Sequence, residues 1–365
     1  MDYATVVEGG TRLRVPVAET PSKSSEVFYN PEMELGRDIT VALVRILKPR
    51  DYCDLLSASG ARGVRVLVEA GVKPVLNDLN PRAVESIKKN LALNSVEAEV
   101  TRMDARALLS GRRFGFIDVD PFGPPVEFMD SVFQSIVSGG FAAVTATDTS
   151  ALSGTYPKAC RRKYDALPLR TDYYNELGLR ILAGFVARTA LRHGLGVRFV
   201  FSHATRHYMR VFLQASHKSK VVKDTLGNIR FIAHCFKCLE REYVNLESVK
   251  ECGCGSSRRI AGPLWSGETA DTVLCGRLLN ELLEGSYNSR RRGVRMVELV
   301  GGEQFTSKPY YDVHKLASRA RSSVTRMDAV LNKLSTHGFK NSRTHYNPQG
   351  VKTDAGVADI REVLK

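Results

Sequence analysis

A doubly wound α/β sheet followed by a smaller, more basic α+β domain is the fold class that this 365-residue chain predicts. Three observations carry it. Between residues 51 and 215, short apolar β-type runs alternate with helical patterns, which argues for a mostly parallel sheet with helices on both faces. Only five residues, 203–207, separate the last two runs, too few for a parallel crossover, so these two strands must pair as an antiparallel hairpin. Past residue 215 the composition changes: four cysteines cluster and the basic excess grows.

Strands are expected at 52–56, 74–78, 97–101, 115–120, 141–147, 197–202 and 208–214, and helices at 64–70, 81–93, 126–137 and 174–193. A helix over 33–47, stopped by Lys48-Pro49, precedes the sheet. Seven strands ending in a hairpin resemble the class I (Rossmann-like) methyltransferase variant of the doubly wound fold, rather than a dehydrogenase. Farther on, 230–260 sets the cysteines in a β-like context and 270–285 reads as an amphipathic helix. Helices at 312–321 and 325–337, a turn-rich basic stretch at 338–350 and a short final helix resemble a winged-helix module. The expected domains are therefore 1–215 and 216–365.

A hydrophobic content of 43% is that of a globular protein with a proper core. No apolar stretch reaches the roughly 18 residues of a membrane span, and Met1-Asp2-Tyr3-Ala4-Thr5 has neither the basic nor the apolar region of an export signal. A cytoplasmic protein without membrane association is expected, and nothing calls for an obligate protein partner. The net charge is +14: residues 1–215 carry 28 Lys+Arg against 23 Asp+Glu, and residues 216–365 carry 25 against 16. Such an excess suits a polyanionic partner, most simply nucleic acid, or else merely keeps a basic protein dispersed.

Asp120-Pro121-Phe122-Gly123 closes the apolar run 116–119. A carboxylate there suits the amine of a planar base, the proline forces a turn, and the ring offers a stacking face; ordinary turns use the same residues. The first strand runs into Ser57-Ala58-Ser59-Gly60, where small residues let backbone approach a ligand at a helix N-terminus. Asp78, eighteen residues after Gly60, is spaced to bind both hydroxyls of a ribose. Asp104-Ala105 ends the third strand, with a carboxylate and an N–H suited to an adenine. Both aspartates equally suit helix N-caps. The turn lacks the phosphate-gripping G-x-G-x-x-G, which fits a donor without a pyrophosphate, and S-adenosylmethionine is the natural choice. Cys235-Phe236-Lys237-Cys238 and Cys252-Gly253-Cys254 are spaced for two knuckles of a structural, four-thiolate zinc site, although the second pair is C-x-C rather than C-x-x-C. His203, His207 and His234 lie nearby, but the first two fall in or beside a hairpin turn and read as packing or surface residues.

The chain resembles the archaeal and eukaryotic tRNA (guanine-N2)-dimethyltransferases acting at position 26. The resemblance spans nearly its whole length and rests on Val27-Phe28-Tyr29-Asn30-Pro31, Met33-Glu34-Leu35-Gly36-Arg37-Asp38, Asp120-Pro121-Phe122-Gly123 and Thr145-Ala146-Thr147-Asp148-Thr149. It continues in Gly262-Pro263-Leu264-Trp265-Ser266-Gly267, Tyr311-Asp312-Val313-His314-Lys315 and Ser342-Arg343-Thr344-His345-Tyr346. It implies that Arg37, Arg62, Asp78, Asp104 and Ala105 contact S-adenosylmethionine. Asp120, Pro121, Phe122 and Phe28 would hold the guanine, with tRNA the partner. Arg290-Arg291-Arg292 and 340–345, interleaved with Phe339 and Tyr346, would then meet phosphates and bases. The competing expectations are a methyltransferase acting on ribosomal RNA guanine or DNA adenine, and a non-catalytic zinc-containing RNA-binding protein.

Overall fold

The structure, a computed structural model, describes residues 2–17, 26–205, 207–320 and 326–364. The chain opens with an antiparallel hairpin, β1 (Tyr3–Glu8) and β2 (Thr11–Pro16), followed by α1 (Glu34–Leu47). It then alternates through β3 (Tyr52–Asp54), α2 (Ala61–Ala70), β4 (Pro74–Asn77), α3 (Pro81–Leu93), β5 (Glu99–Thr101), α4 (Ala105–Ser110), β6 (Phe114–Val119), α5 (Met129–Ser135) and β7 (Ile136–Ala146). Helices α6 (Thr149–Leu152), α7 (Pro157–Tyr164) and α8 (Tyr174–Arg192) lead to β8 (Gly196–Ala204), β9 (Met209–Ser216) and α9 (Ser219–Gly227). There follow β10 (Ile229–His234), β11 (Arg241–Val244), β12 (Arg259–Trp265), α10 (Thr272–Glu284) and α11 (Arg290–Gly302). The end comprises β13 (Tyr311–Asp312), α12 (Val313–Ala320), α13 (Met327–Thr336), β14 (Asn341–Arg343), β15 (Gly350–Thr353) and α14 (Val357–Val363).

The seven-stranded sheet has the order β5-β4-β3-β6-β7-β9-β8. The pairs among β5, β4, β3, β6 and β7 are parallel, with Cys53 opposite Val75 on one side and Ile117 on the other. Neighbouring strands β8 and β9 are joined by residues 205–208, closed by Thr205 N–H donating to the Tyr208 carbonyl at 2.8 Å, so they run antiparallel. Because parallel strands all end on one edge, β3, β4, β5 and β6 deliver their following loops together.

Two compact units make up the chain. The first comprises Met1–Thr145, Phe212–His217 and Val273–Glu298; the second comprises Ala146–Val211, Lys218–Thr272 and Leu299–Lys365. In the first, Leu13 and Val15 of β2 pack with Ala61 and Val64 of α2 and Ile87 and Leu91 of α3. Helix α2 lies so close to the sheet that a Cβ on Gly63 would run into the Leu76 side chain and stand 2.9 Å from Asp54 Oδ2. The segment carrying α10 and the start of α11 returns to this unit: Arg277 donates to the Ile46 carbonyl at 3.0 Å, and Asn288 to that of Val7 at 2.7 Å.

The second unit is built on α8, buried along most of its length and apolar on nearly every side, as a helix enclosed by protein must be. Gly184 lets it approach β12, where an added Cβ would stand 2.7 Å from Leu264 Cα. Strands β11-β10-β12 form one antiparallel sheet and β13-β15-β14 another. Helices α12, α13 and α14 share an apolar core with Tyr311 and Val351, giving the winged-helix-like end that the sequence predicts. Expected helix limits at 321 and 325 lie outside the described residues.

Some elements differ from expectation. Helix α5 stops at Ser135, and β7 starts at Ile136, five residues before the expected 141. Ile136 and Val137 are β-branched and favour the extended state; Ile136 lies opposite Phe114 before the register shifts at the Gly139-Gly140 irregularity, where Gly139 has φ of 85°. The sequence reading also missed the opening hairpin, α6, α7, α9 and α11.

Candidate active site and metal centre

The turn after β3 is shaped by its small residues. Ser57 Oγ donates to the Asp54 carbonyl at 2.9 Å, Gly60 N–H to the Ser57 carbonyl at 2.7 Å, and Gly60 itself sits at φ of 78°. A Cβ there would stand 3.0 Å from Ile87 Cγ1, so both the angle and the space demand glycine. Asp78 follows β4. Its Oδ2 accepts from Ala58 N–H at 2.8 Å and its Oδ1 from Asn80 N–H at 2.9 Å. Burial nevertheless pushes its pKa above the usual carboxylate value. An ionised carboxylate has about four acceptor sites, and two are taken here, which fits a ligand bearing a pair of hydroxyls. Asp78 is not a helix cap; Asn80 caps α3.

Asp104 is one. Its Oδ1 accepts from Arg106 N–H at 2.9 Å and Ala107 N–H at 3.3 Å, capping α4, and its Oδ2 lies 3.2 Å from Arg106 Nη2. The Arg106 hydrogen bond holds its carboxyl below the usual range. Ala105, the next residue, is buried.

At the end of β6, Asp120 forms an ion pair with Arg62 of α2. Arg62 also donates to Thr40 Oγ1 at 2.9 Å and the Gly36 carbonyl at 3.3 Å, and its Nε lies 3.7 Å from Asp118. Asp118 accepts from the Tyr52 hydroxyl at 2.7 Å. Neighbouring carboxylates keep Arg62 protonated despite its burial. Pro121 is buried, whereas Phe122 is 48% exposed and therefore available to a ligand. Its ring meets Phe28 edge to face, with centroids 5.5 Å apart. A base stacked between both rings needs about 7 Å, two van der Waals spacings, so a sandwich requires one ring to swing aside. Arg37 pairs with Glu8 through Nε at 2.7 Å.

Two features escaped sequence reasoning. Asn77 Nδ2 donates to the Leu55 and Met103 carbonyls, each at 3.1 Å, while its Oδ1 accepts from Thr101 Oγ1 at 2.8 Å and Met103 N–H at 3.1 Å. That one amide staples the loops after β3 and β5 to β4. The Arg62–Asp120 pair was the second, and only a polar residue at a strand end hinted at either.

In the second unit, the Sγ atoms of Cys235, Cys238, Cys252 and Cys254 all lie within 4.8 Å of one another. Cys235 and Cys254 are 3.6 Å apart, and Cys238 and Cys252 3.3 Å. Four zinc–sulfur bonds of 2.3 Å in a tetrahedron place sulfurs about 3.8 Å apart, so the donor set and spacing fit that ion. The C-x-C pair does not exclude Cys252. Elsewhere a correction is needed: Tyr346 is buried against Tyr310, Phe339 packs on the apolar core, and His345 Nδ1 is held 2.9 Å from Glu303. The aromatics expected to meet bases close the core instead.

Residues 9–365 match the N2,N2-dimethylguanosine tRNA methyltransferase family. The chain belongs to it. It is 40% identical over 372 residues to a tRNA (guanine(26)-N(2))-dimethyltransferase of Methanothermobacter thermautotrophicus, covering 99% of this chain and 98% of the relative. A counterpart from Methanosarcina barkeri is 38% identical, covering 100% and 99%. The solved structure of Trm1 from Pyrococcus horikoshii with S-adenosyl-L-methionine matches with a TM-score of 0.91 and 31% identity, covering 99% of this chain and all of that one. The expected family and fold class are both borne out.

One buried acid of this family member makes a prediction. Burial, then the nearby Asp118, pushes the Asp54 carboxyl up to about 7, from an ordinary value of 3.8. Between those values the folded protein keeps a proton that the unfolded chain has released. The stability from this group is therefore intact below about pH 4 and lost as pH rises through 7, at about 1.4 kcal/mol per unit. Asp54→Asn retains the acceptor for Gly63 N–H, now at 3.0 Å. Melting curves should show the variant gaining on wild type from pH 5 to pH 8; parallel curves would contradict this.

Proposed function

We propose that this chain transfers one or two methyl groups from S-adenosylmethionine to the exocyclic N2 of guanosine 26 in tRNA. The observation that carries the reading is Asp120, held by Arg62 at the end of β6 beside the Phe28–Phe122 ring pair. The donor supplies an electrophilic methyl on a sulfonium, and Arg37, Ser57, Gly60, Arg62, Asp78, Asp104 and Ala105 are the residues that would hold it. A guanine amine is a poor nucleophile because its lone pair is delocalised into the ring. Asp120 and the Pro121 carbonyl accept its N–H bonds, so that the lone pair turns outward, and positioning does the rest. As the new N–C bond forms, the methyl C–S bond would break with its electron pair left on sulfur as a neutral thioether; the nitrogen becomes cationic, and Asp120 takes the proton. A base stacked inside tRNA must first be flipped out, at a few kcal/mol. Nucleoside analysis of tRNA, ribosomal RNA and DNA incubated with labelled donor tests the reading: dimethylguanosine confined to position 26 supports it, and label elsewhere refutes it.

Because Asp120 is also the ion-pair partner of Arg62, asparagine isolates its role better than alanine, keeping shape while removing charge. Asp120→Asn should keep donor affinity within about threefold and lower transfer by more than tenfold, over 1.4 kcal/mol. A variant retaining a tenth or more of the activity removes Asp120 from the chemistry.

The four-cysteine cluster holds one structural zinc. Metal analysis should return one zinc per chain, and Cys238→Ser should lower the melting temperature without changing donor affinity. Freshly purified protein free of zinc would refute the assignment.

Residues 1–215 carry the chemistry and residues 216–365 most of the tRNA grip. Arg290, Arg291 and Arg292 are exposed at the start of α11. Replacing all three by glutamine in the full chain should flatten the salt dependence of tRNA binding by up to about three units of slope. An unchanged slope would mean that they meet no phosphate.

A further inference from the structure

We propose that Glu8 is a positioning residue of the donor site, fixing Arg37 and the Phe28-Tyr29 loop with one buried carboxylate. This rests on the reading above that Arg37 contacts the donor. Glu8 ends β1 with its side chain 3% exposed. Its Oε2 accepts from Arg37 Nε at 2.7 Å and Arg65 Nη1 at 3.1 Å, and its Oε1 from Arg37 Nη2 at 2.5 Å and the Tyr29 hydroxyl at 2.6 Å. Four donors meet about four acceptor sites, so the carboxylate is saturated and cannot rotate without breaking bonds.

The consequence for Arg37 follows from counting. Its Nη1 donates to the Asn30 carbonyl at 3.1 Å. With the two bonds to Glu8, three of its five N–H groups are used among the described residues. The remaining two sit one on each Nη, and a guanidinium fork suits an anionic or carbonyl group of a ligand. Glu8 sets the plane of that fork, and the Tyr29 ring lies 4.9 Å from Arg37 Cζ. The same carboxylate tethers Tyr29, next to the Phe28 ring that touches Phe122. Donor side and base side thus share one anchor.

A purely structural role predicts something different. Arg65 keeps Asp38 at 2.7 Å and Glu69 at 2.8 Å if Glu8 is lost. Arg37 forms no other ion pair among the described residues. Neutralising Glu8 should therefore disorder Arg37 selectively.

The test is a double-mutant cycle in the full-length protein, with S-adenosylmethionine affinity read by calorimetry and melting temperature read in parallel. Glu8→Gln and Arg37→Ala should each weaken the donor by about tenfold, and the double variant should bind no worse than Arg37→Ala alone. Glu8→Gln at wild-type donor affinity, with Arg37→Ala weakened, overturns the role of Glu8. Additive losses also overturn it, because Glu8 would then act through general stability. Arg37→Ala at wild-type affinity refutes instead the donor contact on which the proposal rests. If Glu8→Gln does not fold, Glu8→Asp keeps the charge but withdraws it by one methylene. Its donor KM should rise about tenfold with kcat nearly unchanged; an unchanged KM overturns the proposal.

Discussion

Two arginines one turn apart on α2 govern the first unit. Arg62 faces the ends of the sheet strands and meets Asp118 and Asp120. Arg65, fully enclosed, meets Glu8, Asp38 and Glu69. Ionised carboxylates away from water cost several kcal/mol each unless a cation stands beside them. Five of them, drawn from β1, α1, α2 and the end of β6, are tolerated because a single helix face delivers two guanidinium groups at i and i+3. Asp54 shows the limit of the arrangement: buried and close to Asp118, it drifts towards the protonated form despite Arg62. Such a network selects one geometry more than it adds stability, since any displaced member strands a buried charge.

The turn after β6 has a related logic. Phe122 stands half exposed, between buried Pro121 and Gly123 at φ of 126°. Its neighbours fix the backbone while leaving the ring room to swing. A rigid carboxylate beside a movable ring suits a ligand that must be inserted before it is aligned.

Much of this was legible in the sequence because it is local. Alternating apolar runs gave away the parallel strands, and the short link before β9 identified the hairpin. Asp78, Asp104 and Asp120 announced themselves by falling at strand ends, and the cysteines by their spacing. What stayed hidden depends on partners distant in the chain. No periodicity indicates that Arg37 reaches Glu8, or that Ser289 donates its N–H to Asp38 at 2.9 Å. The opening hairpin was missed because its strands are short, and β2 carries arginines at alternate positions. Tyr346 and Phe339 misled because an aromatic among basic residues reads as a nucleic-acid contact, whereas a small C-terminal module needs those rings for its own core. Several motifs behind the resemblance serve the scaffold in the same way: Asp312 accepts from Lys315 N–H at 3.1 Å at the start of α12, and Trp265 Nε1 donates to the Glu268 carbonyl at 2.8 Å.

The bond from Asn288 to the Val7 carbonyl joins residues 281 apart. The first unit is therefore not a fragment that the ribosome can finish early. At about 5–20 residues per second, the opening hairpin waits on the order of 15–60 s after its own synthesis for α10 and α11 to emerge. During that interval Asp38 lacks its Ser289 partner, and the apolar face of α1 lacks part of its cover. Premature termination anywhere before residue 298 would thus leave the first unit itself unfinished, even with every strand of the seven-stranded sheet already made.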